Sequence, residues 1–571
     1  GKRARCSCLV LHHRCSSAHF HHSHPHQSPH PLYSTMSLRA QNGHRPLTGG
    51  ESSPESSGAS EHAAKEYRSD LKTVTEAELI NRHGVDPKKA EKKARDIQFV
   101  VSLMEQHEPF PGGTRPWRDA FCIAPFLIIC GLVFGGALLF YGPASQELHK
   151  LIAEEQKAAK TTTLSPSSST FDSSELVAPT FAALAVSLVA SLVGALAFIW
   201  MSMVATACVV WTSLFLTPVI LFCLGAACFV MGQALIGMVF MFLGSCFFFC
   251  TWCCWRRFIP FTIRVLETVS EVMTAHPALC LVSIGGRCMQ VVWFVCTCVA
   301  VGGAYITTMG DSIKESHSGE EPEASGADYL WIFLFGFALY SGSSVLQFTC
   351  DVTYAGVFGR WYFQETDNSL MASMKVAWTT SFGSICFGSM ALAFVRALDM
   401  VVTTARKAAQ EEGNIVTCIL LLVVECLIGC IGDLLEYVTE WAMVQVAIRG
   451  VGLLDAGRIL GSLVLCSNSG LILADLLLGS VTSCGTLFCG FIGAIAGGLA
   501  GLAFGPSGAY LWAASGTIGF ILGSIIGRAA LDPIQTGTKT IISLWAEDPN
   551  PLMEFDHDMH NEFESKIQSK M

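Results

Sequence analysis

The feature that most limits the fold is a run of 80 residues, 176–255, that contains no Asp, Glu, Lys or Arg. A membrane-spanning helix needs about 20 mostly apolar residues, so the run has the length of three helices joined by tight turns. A bilayer accommodates such a stretch, whereas a soluble core does not. Only 14% of the chain is charged, against roughly 25% in ordinary globular proteins. The sequence therefore predicts an all-α, polytopic membrane helix bundle.

Other apolar runs, bounded by charged residues, extend the bundle on both sides of this one. A second uncharged run, 476–527, is 52 residues long and has room for two helices hinged at Gly505 and Pro506. We predict a transmembrane domain at 119–530, with about ten transmembrane helices near 119–141, 177–199, 203–224, 228–253, 278–304, 329–357, 376–396, 414–435, 481–504 and 509–530. The segment 436–478 is too polar to span and is predicted to be interfacial.

The chain ends are predicted from the number of spans and the positions of basic residues. An even number of spans puts both ends on one side, and basic residues favour the cytoplasmic side. We therefore predict a cytoplasmic N-terminal tail at 36–118 and a cytoplasmic C-terminal tail at 531–571. Residues 1–35 contain eight His and are predicted to be a leader or upstream remnant, with a metal-binding tract as the alternative.

Charged side chains inside the apolar runs are the first candidates for function. Such groups are costly in a bilayer, and they commonly mark a substrate or ion pathway. For Arg287 and Asp475, pairing or a position near an interface is the expected explanation. Asp351 falls late in its span, and Glu425 lies near the centre of another. For Glu425, a role in a pathway and a buried ion pair are equally open.

Aromatic side chains form a second group of candidates. A quaternary ammonium ion has no hydrogen to donate, so a protein recognises it with aromatic faces and a carboxylate. Trp361 and Tyr362 end one span, and Trp378 begins the next; Trp293 and Tyr437 are possible additions from neighbouring helices. The alternative is the aromatic belt that ordinary membrane proteins place at the bilayer interface.

Two further patterns concern glycine and cysteine. Gly493, Gly497 and Gly501 recur every four residues in one span, as do glycines 519, 523 and 527 in the next, which predicts close helix packing. Cys253 and Cys254 end an apolar run; packing, palmitoylation and, least favoured, zinc binding are the alternatives.

The signatures of soluble enzymes are missing from the sequence. It has no phosphate-binding loop, His-Glu-x-x-His motif or Gly-x-Ser-x-Gly motif. We therefore expect a protein that is not an enzyme, has no cofactor or resident metal and does not bind nucleic acid.

Several stretches resemble the choline transporter-like family, solute carrier family 44. The most specific is Gly-Ser-Ile-Cys-Phe-Gly-Ser at 383–389, and the order and spacing agree over roughly 117–555. The others are Arg-Arg-Phe-Ile-Pro-Phe at 256–261, Tyr-Ala-Gly-Val at 354–357 with Trp-Tyr-Phe at 361–363, Glu-Tyr at 436–437 with Val-Gln-Val-Ala-Ile at 444–448, and Asp532 with Ala-Glu-Asp-Pro at 546–549. Ten spans with both ends inside is also the topology that this resemblance implies.

The resemblance implies transport of choline or a related small amine, facilitated or coupled to a gradient. The expected site is a cage of Trp361, Tyr362 and Trp378, with Asp351 or Glu425 as the counter-charge. Glu425 is also a candidate for proton coupling, because an ionised carboxylate is costly in lipid. The expected location is the plasma membrane, with an organellar membrane as the alternative. A membrane scaffold and a channel or scramblase are the alternative functions.

Overall fold

The computed structural model describes residues 98–548 and 551–552, apart from 101, 105, 111–114, 163–172, 257, 317–325, 366–368, 467–469 and 505–509. Every regular element in this part of the chain is helical, which confirms the all-α prediction. The predictions on residues 1–35, on most of the N-terminal tail and on 553–571 lie outside the described residues.

The helices follow one another with short connections. A 3-10 turn, Ala120–Cys122, precedes the first, and a π-helical turn, Thr251–Trp255, follows the fourth. The described helices are α1 (Ile123–Thr162), α2 (Ser173–Val204), α3 (Thr206–Val230), α4 (Ala234–Cys250), α5 (Ile259–Ala275), α6 (Ala278–Ser316), α7 (Gly326–Tyr362), α8 (Ser369–Trp378), α9 (Phe382–Glu411), α10 (Ile415–Arg449), α11 (Leu453–Cys466), α12 (Gly470–Phe504) and α13 (Tyr510–Glu547).

Ten of the described helices are long and apolar enough to cross a membrane, which confirms the predicted number. The 80-residue uncharged run forms three of them, α2, α3 and α4. Large apolar side chains such as Leu138 and Val230 point outward, 83% and 90% exposed. An apolar outer surface of this kind matches the hydrocarbon of a bilayer. The helices also satisfy their own backbone hydrogen bonds, as lipid requires. The three other helices, α5, α8 and α11, have 17, 10 and 14 residues.

Several helices extend beyond their predicted ends, and α10 and α13 do so through charged segments. The segment 436–478, predicted to be interfacial, is shared between the last turns of α10, α11 and the start of α12, and α13 continues past 530 to Glu547. The charged residues that suggested an end have partners on other helices. Arg396 of α9 binds Asp433 and Glu436 of α10. Pairing of this kind allows a helix to stay regular through a polar stretch.

The end of α10 is joined to the residues that precede α1. The Arg115 guanidinium donates to the carbonyl oxygens of Ala447 and Ile448, at 2.7 and 2.9 Å. The Asp119 carboxylate accepts hydrogen bonds from Ser384 Oγ and Leu453 N. Burial and the neighbouring Arg360 lower the pKa of Arg115 to about 10. The part of the predicted tail nearest the first span is thus packed into the bundle.

The glycine spacing of α12 and α13 brings their backbones into direct contact, as the sequence predicted. A Cβ at Gly493 would clash with the Gly519 carbonyl group, and one at Gly523 would clash with the carbonyl of Cys489. At Gly479, in the same helix α12, a Cβ would meet nothing within 4 Å. The two positions therefore provide a matched comparison.

We expect Gly493→Ala to lower the thermal midpoint of the purified protein and Gly479→Ala to leave it unchanged or raise it. Alanine in a helix interior is favoured over glycine by about 1 kcal/mol, so only the backbone clash at Gly493 reverses the sign. Fluorescence-detected gel filtration after heating gives both midpoints. Equal shifts for the two variants would contradict the close packing of α12 on α13.

Candidate functional site

Charged and polar side chains from five of the membrane-spanning helices meet inside the bundle. On helix α13, Asp532, Thr536 and Lys539 are among them. Their spacing of four and three residues places them on one face of the helix. On α7, Gln347, Asp351 and Tyr354 have the same spacing. We call the seven charged residues of this region the charged cluster: Arg287, Asp351, Glu440, Asp475, Arg528, Asp532 and Lys539.

Direct contacts tie the face of α13 to three neighbouring helices. Arg287 of α6 donates to Asp532, with Nε 3.1 Å from Oδ2. Thr536 Oγ1 donates to Asp351 Oδ1 of α7 at 2.9 Å. Lys539 Nζ donates to Glu440 Oε2 of α10 at 2.5 Å. Each helix pair is thus joined by a polar contact inside the membrane-spanning part of the fold.

Two small cavities lie along this face and share Gln347, Asp351 and Asp532 in their walls. The first, of about 10 Å³, is also lined by Ser283, Gly286, Arg287, Gln290, Leu346, Cys350 and Tyr354. The second, of about 20 Å³, is also lined by Glu440, Arg528, Gln535, Thr536 and Lys539. A water molecule needs roughly 10–15 Å³ on this measure, and ligand pockets are typically several hundred Å³. The site is therefore closed in this conformation.

Asp475, at the membrane-spanning start of α12, adds a fourth carboxylate to the cluster. Its carboxylate is buried and lies next to Tyr437 and Trp441, in the electrostatic field of Glu440 and Lys539. The Tyr437 hydroxyl and the Trp441 Nε1–H are both buried and face this carboxylate as hydrogen-bond donors. The Lys539 ammonium group thus lies against one carboxylate and one aromatic ring, with Asp475 near enough to act on it electrostatically.

The formal charges of the cluster do not cancel. Four carboxylates (Asp351, Glu440, Asp475, Asp532) face three cations (Arg287, Arg528, Lys539), which leaves an excess of one negative charge when all are ionised. Among the described residues, Asp351 has no lysine or arginine nitrogen in ion-pair contact and accepts one hydrogen bond, from Thr536. With every group ionised, one bound monovalent cation would balance the formal charge of this site.

Comparison with known proteins identifies the family. The family model described as plasma-membrane choline transporter matches residues 238–550, more than half of the chain and all seven charged residues of the cluster. The chain belongs to this choline transporter-like family. The resemblance seen in the sequence motifs is thereby confirmed. The family and the helix bundle support a membrane transporter.

Several fungal proteins are similar to the chain, each with about one quarter of the aligned residues identical. Protein PNS1 of Gibberella zeae is 26% identical over 376 residues, 64% of this chain and 69% of that protein. The pns1 protein of Aspergillus fumigatus is 26% identical over 342 residues, 57% of this chain and 62% of its own length. The PNS1 protein of Debaryomyces hansenii is 24% identical over 338 residues, 55% of this chain and 63% of its own. These names do not specify a substrate.

Asp351 is the one residue among the five sequence-predicted site residues that lines the two cavities. Tyr362 lies 11 residues further along α7, about 16 Å at 1.5 Å per residue, and its hydroxyl donates to the carbonyl oxygen of Asp548 at 2.7 Å. Trp361 packs against the core beside it. Trp378 is half exposed and stacks on Phe382, with ring centroids 5.7 Å apart. The expected cage is not assembled around Asp351 in this conformation.

Glu425 takes part in an ion pair between α9 and α10. Its Oε2 accepts from Arg406 Nε at 2.5 Å, and its Oε1 accepts from Thr403 at 3.2 Å. Glu440 lies 15 residues further along α10, about 22 Å at the helical rise. Glu425 is therefore remote from the charged cluster, and the buried-pair alternative describes its surroundings.

Glu440, Asp532 and Lys539 belong to the site but were not among the predicted site residues. Glu440 falls in the segment predicted to be interfacial, and Asp532 and Lys539 fall in the predicted C-terminal tail, where charged residues are expected. Their spacing could have indicated the site. If the last span continues beyond residue 530 as a helix, Asp532, Thr536 and Lys539 lie on one face of it.

Proposed function

We propose that the chain transports choline or a related small amine across a membrane, facilitated or coupled to a gradient. The observation that carries the proposal is the charged cluster, with one carboxylate in excess inside the membrane-spanning helices. Family membership supports a transporter with a substrate of this class. An excess negative charge in a low-dielectric interior favours a monovalent cation and disfavours anions.

Within this proposal, Asp351 is the counter-charge for the substrate. Its carboxylate lies in the wall shared by both cavities, and Gln290, Gln347 and Tyr354 supply further polar groups there. Trp361, Tyr362 and Trp378 lie beyond the cluster, at the end of α7 and on α8. We propose that they contact the substrate as it leaves the cluster, at a separate step of the cycle.

Transport requires the site to open, because cavities of about 10 and 20 Å³ do not admit an organic cation. In many secondary transporters the substrate site lies between helices and is exposed to each side of the membrane in turn. The polar contacts that join α13 to α6, α7 and α10 are the ones such a motion breaks. We propose the plasma membrane as the site of action, with both chain ends in the cytoplasm.

The test is uptake of radiolabelled choline and, separately, ethanolamine into proteoliposomes of the purified full chain, with and without an imposed pH difference. We expect saturable uptake that unlabelled choline competes for and that protein-free vesicles lack. Absence of uptake for both solutes, from protein with a monodisperse gel-filtration profile, would contradict the proposal. Flux that does not saturate with choline concentration would favour a channel or scramblase. Absence of flux, together with specific binding of cytosolic proteins to the chain, would favour a scaffold.

A further inference from the structure

The Lys539 side chain is held as a bound ammonium ion would be held. It is 4% exposed, and its Nζ donates to Glu440 Oε2 at 2.5 Å. The same nitrogen lies 6.0 Å from the centre of the Tyr437 ring. A carboxylate together with an aromatic face within about 6 Å is the arrangement by which proteins recognise amines and quaternary ammonium ions.

The surroundings of the Lys539 ammonium group include a further carboxylate beyond Glu440. Asp475 contributes a second buried carboxylate, with Tyr437 and Trp441 beside it. The Tyr437 hydroxyl and the Trp441 Nε1–H are buried and face the Asp475 carboxylate as hydrogen-bond donors. Donors held against a buried carboxylate in this way stabilise its charge, so the carboxylate can serve as a second partner for an ammonium ion.

We propose that Lys539 is an internal substitute for the substrate. In the closed state, its ammonium group occupies an amine site formed by Glu440, Asp475, Tyr437 and Trp441. The substrate ammonium group displaces the lysine ammonium group during the transport cycle. This inference rests on the proposed function for the identity of the substrate. The inference goes beyond the proposed function in two respects: it assigns a second binding position, and it makes Lys539 the residue that governs substrate affinity there.

The exchange solves a physical difficulty of an amine site inside a membrane. A buried carboxylate left without a partner costs several kcal/mol, and an empty site with two such carboxylates is therefore unstable. Lys539 neutralises the site while the substrate is absent. Asp351 lies in the wall of the same cavity as Lys539 and has no ion pair among the described residues. It is the acceptor for the lysine ammonium group once the substrate displaces it.

The experiment compares Lys539→Met with wild type in the binding of radiolabelled choline to the purified full chain in detergent. If the lysine leaves the site in about one molecule in ten, its removal raises the apparent affinity about ten-fold, since the apparent Kd scales inversely with the competent fraction. Lys407→Met, at an exposed lysine of α9, removes the same charge without opening the site and is expected to leave the Kd unchanged. Lys539→Met combined with Glu440→Gln is expected to lose the gain.

A gain in affinity separates this role from a structural one, because a damaged fold weakens binding. An equal or higher Kd for Lys539→Met than for wild type would overturn the inference and leave the proposed function standing. Wild type that neither binds nor transports choline or ethanolamine would overturn the proposed function instead.

A second measurement keeps the inference testable where Lys539→Met does not fold or choline is not the substrate. Lys539→Ala leaves a space of the shape of the lost side chain. We expect ethylammonium chloride to raise the thermal midpoint of this variant in membranes, by mass action on the folded state, and equal sodium chloride to have no such effect. Wild type should not respond, because its own ammonium group fills the site. No difference between the two salts on Lys539→Ala would contradict the proposal.

Discussion

Replacing Arg287 by Met is expected to lower the free energy of unfolding by about 3–5 kcal/mol, the usual cost of removing one partner of a buried ion pair. Arg287 Nε lies 3.1 Å from Asp532 Oδ2, and its Nη1 lies 2.9 Å from Gln290 Oε1. The substitution leaves Asp532 as an unpaired carboxylate between α6 and α13. The thermal midpoint of the purified protein, measured by gel filtration after heating, reports the loss.

The matched comparison for Arg287→Met is an exposed arginine in a pair of similar length. Arg264 lies 3.0 Å from Glu267, with the two side chains 51% and 40% exposed. Exposed pairs of this kind contribute only about 0–1 kcal/mol, so Arg264→Met should shift the midpoint little. Combining Arg287→Met with Asp532→Asn removes both buried charges and is expected to recover most of the loss. Equal shifts for Arg287→Met and Arg264→Met would contradict a buried ion pair.

The number of spans was predictable from the sequence because the length of an apolar run is a local property. A run such as 176–255 divides into helices of about 20 residues whatever the rest of the chain does. Where α10 and α13 end was not predictable in the same way. Their last turns carry charges, and these are compatible with a membrane only because Arg396 and Glu440 contribute partners from other helices. That information lies in the tertiary contacts.

The candidate site was predictable only in part for the same reason. Asp351 stood out because a single charge in an apolar run is conspicuous. Glu425 stood out equally, and nothing in the sequence shows that Arg406 pairs with it. The predicted aromatic cage was placed on residues that helix geometry keeps apart. Trp361 and Tyr362 are adjacent in α7, so they point about 100° apart around the helix. Spacing of three or four residues is the pattern that places side chains on a common face.

The two carboxylates proposed as counter-charges are expected to respond differently to neutralisation. Asp351→Asn should reduce the initial rate of choline uptake by about 100-fold, since losing a charge contact of roughly 3 kcal/mol corresponds to two powers of ten. Asp351 lines both cavities and has no ion pair among the described residues. Asn keeps the shape and an oxygen for Thr536, so the fold should survive. Uptake into proteoliposomes, normalised to folded protein, measures the effect.

Glu425→Gln is the matched variant, because it also neutralises one carboxylate inside a membrane span. It leaves Arg406 without its partner, so a lower thermal midpoint is expected. Uptake per folded molecule should nevertheless stay within about three-fold of wild type and keep the same pH dependence, since Glu425 lies about 22 Å along α10 from Glu440. Loss of uptake or of pH dependence in Glu425→Gln, with near-normal uptake in Asp351→Asn, would place the pathway between α9 and α10 and would contradict a substrate site at the charged cluster.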